Sequence, residues 1–281
     1  MLIRLGYDIR FEVYSELPMM AMLKVHPSRA HDLLEPDTMH VEPNVAVDDY
    51  IDGFGNICSR LVAPPGVLRM WTSNVIRDSG LPDPQNPSAR QLPVEELPPD
   101  VLRFLLGSRY CEVDRLSDLA ISLFGQTTPG WPRVQAVLDW VHQRTTFGYN
   151  FARSTKTALD VYNEQTGVCR DFQHLAIAMC RSLNIPARYA TGYLGDIGVT
   201  VLPVPGDFSA WFEAYLDGRW WTFDARHNMP RIGRVLMATG LDAADVAITT
   251  AFGNAFLAKF EIITDLIEEQ AVQPDRALTA S

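Results

Sequence analysis

The chain has 281 residues, of which 47% are hydrophobic and 21% charged, and its formal net charge is −10. This composition is typical of a soluble globular protein and, because it is acidic, argues against nucleic-acid binding. No segment approaches the roughly 20 consecutive apolar residues of a membrane span, so we predict no membrane partner. The four cysteines are few and irregularly spaced, which predicts a cytoplasmic protein without a disulfide framework.

The first 85 residues are predicted to form a small β-rich domain. Leu2 to Val13 alternates apolar and polar residues, which is the period of a half-buried strand. Short candidate strands follow at 44–50, 57–62 and 68–75, with proline and glycine turns between them. Residues 86–99 are polar and contain several prolines, and we interpret them as a linker.

Residues 100–265 are predicted to form an α+β core, and residues 266–281 a loose tail. Apolar residues at three- and four-residue steps predict helices over 98–106, over 113–124 and after Pro132.

Cys169 is the most informative residue of this core. Residues 175–180 are all apolar, which is typical of a helix that is buried on every side. Gly167 comes just before this helix and Pro186 just after it, so Cys169 is expected in the first turn. Unpaired backbone N–H groups at that position favour a thiolate. We therefore expect the pKa of Cys169 to lie below the value of about 8.5 for a free thiol.

Asp217-Gly218 separates two aromatic-rich runs and predicts a β-hairpin. A two-residue loop pairs Leu216 with Arg219. The same register makes Ser209 and Asp224 diagonal neighbours on one face, about 7–8 Å apart at Cα. An acid on that face, opposite a cysteine at a helix start, is the arrangement of a cysteine triad. Serine stands where the triad needs a histidine.

Further segments complete a recognisable pattern: residues 167–172, 185–189, 191–193, 210–213 and 220–228. In order and spacing they resemble the transglutaminase-like superfamily of cysteine proteins, specifically bacterial members with an added N-terminal β-domain. The resemblance implies a papain-like core, in which the helix that carries the cysteine packs on an antiparallel sheet. It also implies Cys169 as the nucleophile and Asp224 as the residue that orients a histidine. In the family this histidine directly precedes Ala-Trp, which is the position of Ser209.

His227 is a candidate surrogate base, because a turn of the chain before Pro230 would bring it back towards the site. Three residues near the thiol or on the hairpin are predicted to contact the substrate: Gln173, Trp211 and Glu213. The alternative for Trp211 is a core position, and the alternative for Glu213 is an ion pair with Arg188 or Arg226.

Two functions fit these observations. The first is a cysteine enzyme that acts on amide or peptide bonds of a protein or peptide through an acyl-thioester at Cys169, as a peptidase, deamidase or transamidase. The second is a pseudoenzyme that keeps the pocket as a binding or structural module, because Ser209 replaces the triad histidine. The sequence has no metal-ligand cluster, phosphate-binding glycine loop or dinucleotide motif, so we predict no cofactor and no metal. The oligomeric state is left open.

Overall fold

A computed structural model describes residues 1–200 and 206–267. Within these residues there are three four-stranded antiparallel sheets, a short parallel pair of strands and four α-helices. The strands are β1 (Leu2–Val13), β2 (Leu17–Ala21), β3 (His40–Glu42), β4 (Val47–Ile51), β5 (Ile57–Ala63), β6 (Gly66–Arg77), β7 (Thr146–Phe147), β8 (Thr166–Gly167), β9 (Ala187–Tyr193), β10 (Phe208–Leu216), β11 (Arg219–Phe223), β12 (Val235–Gly240), β13 (Thr249–Ala251) and β14 (Ala255–Ile267). The helices are α1 (Val113–Phe124), α2 (Trp131–Arg144), α3 (Ala158–Glu164) and α4 (Cys169–Ser182). None of these helices is both long and apolar enough to cross a membrane.

The N-terminal strands form two sheets that share one apolar core. The alternation predicted for β1 is confirmed, since its apolar side chains, from Ile3 to Val13, are all 7% exposed or less. Strand β6 pairs with β1 along its whole length, from Leu2 opposite Arg77 to Val13 opposite Gly66. Both long strands therefore turn one face towards the core, as their period of two requires.

The C-terminal strands join these N-terminal sheets. Strand β14 pairs antiparallel with β1, and β13 pairs with β2. The sequence analysis assigned residues up to 265 to the α+β core, whereas in the structure β13 and β14 belong to the N-terminal sheets. The reason is that β1 has two edges. Strand β6 pairs with one edge, and β14, about 250 residues away in the chain, pairs with the other. Strand β14 also extends to Ile267, past the start of the predicted tail, and residues 268–281 lie outside the described residues.

The second core is built around α4. Helices α1, α2 and α3 pack on it from one side, and the sheet with strand order β11-β10-β9-β12 packs on the other. Every residue from Leu175 to Cys180 is 0% exposed, which confirms the prediction of a helix buried on all sides. The predicted α+β class, with the cysteine helix on an antiparallel sheet, is therefore confirmed. Of the helix predicted over 98–106, only a 3-10 turn at Leu102–Leu105 forms.

The hairpin of β10 and β11 has the predicted register. Leu216 lies opposite Arg219, and the pairing continues to Phe212 opposite Phe223. Asp217 and Gly218 have φ values of 52° and 82°. Positive φ at both loop positions is the geometry of the tight hairpin turn that such a dipeptide favours. Strand β11 then ends, so Asp224 lies one residue beyond the last paired position.

Candidate active site

Cys169 is the first residue of α4. The carboxylate of Asp171 accepts a hydrogen bond from the Val168 N–H at 3.0 Å and closes the first turn. Gly167 is needed just before this turn, because a Cβ there would lie 2.6 Å from the Cβ of Asp171. The expected position at the helix start is thus confirmed. Cys169 is partly exposed and lines a cavity of about 840 Å³.

The environment of the Cys169 thiol disfavours the thiolate. Burial, followed by the nearby carboxylate of Asp207, raises the pKa of Cys169 to about 11. The Arg226 guanidinium and the backbone N–H groups of Ala210 and Arg170 act in the opposite direction but are outweighed. The expectation of a lowered pKa was therefore wrong. It considered the effect of the helix start on the thiolate but not the loss of water around the sulfur, which raises the pKa.

The other three cysteines are buried, Cys111 and Cys180 in the apolar core around α4. Cys58, Cys111 and Cys180 are at most 1% exposed. Burial raises the pKa of Cys58, and it raises the pKa values of Cys111 and Cys180 to about 12. Of the four thiols, only that of Cys169 combines partial exposure with a place in the wall of the large cavity.

Asp224 is a buried carboxylate with every oxygen bonded. Its Oδ2 accepts hydrogen bonds from His227 Nδ1 and from the Arg234 guanidinium, both at 2.8 Å. Its Oδ1 accepts from the backbone N–H groups of Arg226 and His227 at 3.0 and 3.1 Å, and from the Gln173 amide at 3.2 Å. Burial alone would raise the pKa of Asp224, but Arg234 and His227 together hold it well below its usual range. The group is therefore ionised at neutral pH.

His227 is brought back to the site by a turn. After Phe223 the chain folds over itself, with the Asn228 N–H donating to the Asp224 carbonyl at 2.8 Å. The side chain of His227 then lines the same cavity as Cys169. Because an ionised carboxylate can only accept, Nδ1 of His227 carries the proton of the bond to Asp224. Its Nε2 has no hydrogen-bond partner in the part of the chain that the structure describes, and so remains free to accept a proton.

Arg234 connects this carboxylate to a second one. Its guanidinium bonds Asp224 and, through Nε at 2.8 Å, the carboxylate of Asp83. Asp83 is fixed in turn, because it also accepts the backbone N–H of Arg231 at 2.8 Å. Arg234 is 8% exposed, so its ion pairs with the two carboxylates are shielded from water.

Ser209 also lines the cavity with Cys169. The residue is 7% exposed, and its Oγ is buried without a hydrogen-bond partner. A serine hydroxyl cannot accept a proton efficiently near neutral pH. The structure therefore places at 209 a side chain that contacts the cavity but carries no base.

Gln173 does not contact the substrate space, contrary to the prediction. Its side chain is completely buried, and the amide donates to the Ala210 carbonyl and to Asp224, both at 3.2 Å. Its oxygen accepts the N–H of Ala225 at 3.1 Å. Each polar atom is used to connect α4 with β10 and with the turn after β11. The helix geometry placed Gln173 beside the thiol but could not show which neighbours would occupy its amide.

Trp211 and Glu213 follow their alternative interpretations and not the predicted contact with substrate. Trp211 is 2% exposed, with the Arg234 guanidinium 5.0 Å from its ring centre, so it belongs to the core. Glu213 forms an ion pair with Arg188, the residue directly opposite it on β9, at 2.6 Å. Both side chains are thus occupied in holding the sheet.

Tyr149, Asp207 and Arg226 are among the cavity residues that the sequence analysis did not predict as site residues. For Asp207 a signal was present, since it precedes Ser209 by two residues and strand side chains alternate with that period. Arg226 had been considered only as a partner for Glu213. Among the described residues, no group of three His, Cys, Asp or Glu could hold a metal ion.

Comparison with known proteins agrees with this fold. The family model described as the transglutaminase-like superfamily matches residues 117–225, which include α4 and the β10–β11 hairpin. A solved structure from Cytophaga hutchinsonii, described as a putative cysteine protease, is 32% identical in sequence. It aligns with 96% of this chain and 92% of its own, with a TM-score of 0.84. An uncharacterised protein of Mycobacterium leprae, ML0607, is 27% identical over 208 residues, which are 70% of this chain and 73% of that protein.

Proposed function

Because this chain belongs to the transglutaminase-like superfamily, we propose that it is a cysteine enzyme that cleaves amide or peptide bonds through an acyl-thioester on Cys169. In this proposal His227 is the general base, and Asp224 orients it. The observation that carries the proposal is the 2.8 Å hydrogen bond between His227 and Asp224, on a residue that shares the cavity wall with the thiol. His227 would thus take the role that the residue at position 209 has in the family.

The reaction would proceed in two halves. In the first, Nε2 of His227 takes the thiol proton as the sulfur of Cys169 attacks the amide carbonyl and the S–C bond forms. The C–N bond then breaks, and the imidazolium returns its proton to the departing amine. In the second half, water or an amine gives a proton to His227 and attacks the thioester carbonyl. The S–C bond breaks, and the sulfur recovers its proton.

The electrostatics favour a protonated thiol at Cys169 in the resting site. With a pKa of about 11, the Cys169 thiol holds its proton at neutral pH. A thiolate–imidazolium pair is therefore not formed in advance, and proton transfer has to accompany attack on the carbonyl.

The helix start supports the charged intermediate. Attack by sulfur places a negative charge on the carbonyl oxygen, close to the first turn of α4. Backbone N–H groups and the positive end of the helix dipole are stabilising for an anion at such a position. The N–H groups of Ala210 and Arg170 already point at the sulfur, where they lower the pKa of the thiol.

Two matched variants test the assignment of the base. We expect His227→Ala to reduce kcat/KM on a peptide or amide substrate by about 10²–10⁴-fold, the usual contribution of a general base. Ser209→Ala, which changes the same cavity wall, should stay within a few-fold of the wild type, because the hydroxyl makes no hydrogen bond. Cys169→Ala should be inactive. Full loss in Ser209→Ala with activity retained in His227→Ala would refute the proposal.

The pseudoenzyme is the second candidate, and the raised pKa of Cys169 favours it. A domain kept only for binding has no need of a reactive thiol. The two candidates differ in one observable: an enzyme forms an acyl-thioester that mass spectrometry detects on Cys169 after a rapid acid quench. If substrates that bind never acylate Cys169, the pseudoenzyme is the correct reading.

A further inference from the structure

The turn that carries His227 lies outside the sheet. The ladder between β10 and β11 ends at Phe223, so in the described part of the chain no neighbouring strand pairs with residues 224–228. Position 209, by contrast, lies inside β10, where Ser209 pairs with Gly192 of β9. Ladder hydrogen bonds hold the backbone of a residue in a strand, whereas the backbone of a residue in a turn needs other partners.

Asp224 holds the inner side of this turn. Its Oδ1 accepts the N–H groups of Arg226 and His227 at 3.0 and 3.1 Å, and its carbonyl accepts the N–H of Asn228 at 2.8 Å. All of these bonds lead to one residue at the beginning of the turn. They therefore close the turn but leave its far side to be fixed by other contacts.

One polar face of α2 holds the far side. Asn228 donates to the Asp139 carboxylate at 2.8 Å, and its side-chain oxygen accepts from the Gln135 amide at 2.9 Å. Gln135 also donates to Asp139 at 2.9 Å, which closes a ring of three side chains. Further along the helix, His142 Nδ1 lies 2.8 Å from the Arg226 carbonyl, and because a carbonyl can only accept, the imidazole donates.

These contacts flank His227 on both sides. Gln135, Asp139 and His142 follow one another at steps of four and three residues, which places them on one face of a helix. The residue before His227 is held through its carbonyl, and Asn228 after it is held through its side chain. Two anchors on adjacent residues restrict rotation of the backbone between them, and with it the direction of the imidazole.

We propose that Gln135, Asp139 and His142 are positioning residues for the surrogate base, and we call them the α2 clamp. By holding the chain on both sides of His227, the α2 clamp keeps the imidazole bonded to Asp224 with its Nε2 at the cavity. The position of the imidazole is independent of the reaction, whereas the effect on turnover rests on the function proposed above. Such an effect is large, since a displacement of about 1 Å at a reacting group costs about 10²-fold in rate.

Asn228→Gly tests the α2 clamp without straining the turn. It removes both side-chain hydrogen bonds, and glycine adopts the φ of 49° at this position without a steric penalty. Asn184→Gly is the matched control, because Asn184 also has a positive φ, of 59°, but follows the opposite end of α4 from Cys169. The same substitution thus changes the same kind of backbone at two places, and only one of them contacts the α2 clamp.

The first readout is the tautomer of His227, measured by NMR on protein with isotopically labelled histidine nitrogens and assigned with His227→Ala. With the ring neutral, we expect the proton on Nδ1 alone in the wild type and in Asn184→Gly, because the Asp224 carboxylate accepts it. In Asn228→Gly we expect a mixture of both tautomers. Wild-type signals of His227 in Asn228→Gly would overturn the inference.

The second readout is turnover of p-nitrophenyl acetate, a simple acyl donor. We expect Asn228→Gly to lower kcat by about 10–100-fold with KM within about twofold of the wild type, and Asn184→Gly to change neither. Asp139→Leu should repeat the loss, whereas Asp139→Asn keeps an accepting oxygen and should stay within about threefold of the wild-type kcat. An equal loss in both variants of Asp139 would show that its hydrogen bonds do not position the base, and would contradict the inference.

The two readouts separate this inference from the proposed function. Altered signals of His227 with an unchanged kcat would mean that α2 positions the imidazole but that the imidazole is not the base, so only the proposed function fails. Turnover by the wild type no faster than that of Cys169→Ala would also count against the enzyme alone. In that case the tautomer of His227 in Asn228→Gly still decides whether the α2 clamp positions the ring.

Discussion

The pH dependence of alkylation at Cys169 tests the electrostatics of the site directly. With a pKa of about 11, about 0.1% of the thiol is ionised at pH 8, against about a quarter for a free thiol of pKa about 8.5. Because the thiolate is the reacting species, iodoacetamide should modify Cys169 about 200-fold more slowly in the native protein than in urea. Peptide mass spectrometry of timed samples gives the rate for each cysteine, and Cys169 should still be the fastest of the four.

Asp207 should give the pH profile of Cys169 alkylation a distinctive shape. Its pKa is about 6, so it is neutral below that pH and does not oppose the thiolate, whereas above it the carboxylate is ionised and raises the pKa of Cys169. The logarithm of the rate should therefore climb with pH, lag near pH 6 and then climb again. In Asp207→Asn the lag should vanish and the rate at pH 8 should rise at least threefold, whereas Asp265→Asn should match the wild type. A rate plateau below pH 8, or an unchanged profile in Asp207→Asn, would refute this account.

Three further predictions concern stability and the base. Arg234→Leu leaves the buried carboxylate of Asp224 and the partly buried carboxylate of Asp83 without their cation and should lower the free energy of unfolding in urea by about 3–5 kcal/mol. Because the pKa of Asp224 is depressed in the folded state, wild-type stability should also fall as the pH drops below about 4, and this fall should be smaller in the variant. Gly192→Ala would place a Cβ 2.0 Å from a backbone oxygen of β12 and should cost about 3 kcal/mol. Gly218→Ala, where only φ is unfavourable, should cost about 1 kcal/mol in the same unfolding assay. Ser209→His should raise kcat/KM less than tenfold, because both oxygens of Asp224 are already bonded.

Local patterns explain why much of the fold was predictable. The alternation in β1, the apolar run in α4 and the Asp217-Gly218 turn each depend on residues close together in the chain. Backbone geometry then decides which side chains share a face, and burial follows from that face. The position of Cys169 at a helix start belongs to the same class of inference.

The ionisation of the thiol was not predictable in this way. A helix start favours a thiolate, and the sequence shows the helix start. The sequence does not show how much water the sulfur loses, nor that Asp207 lies beside it. Desolvation and a neighbouring carboxylate both act through space, and here they outweigh the helix end.

The sequence by itself determined strand β1, helix α4, the β10–β11 hairpin, the nucleophile candidate Cys169 and the serine at position 209, because these depend on residue type and short-range spacing. Only the tertiary structure decided which groups surround Asp224. A turn after β11 brings His227 to this carboxylate, and Arg234 joins it to Asp83, more than 140 residues earlier in the chain. It also decided that β14 completes the sheet begun by β1. Contacts between such distant segments depend on which surfaces the folded chain brings together, and no local pattern of residues encodes that choice.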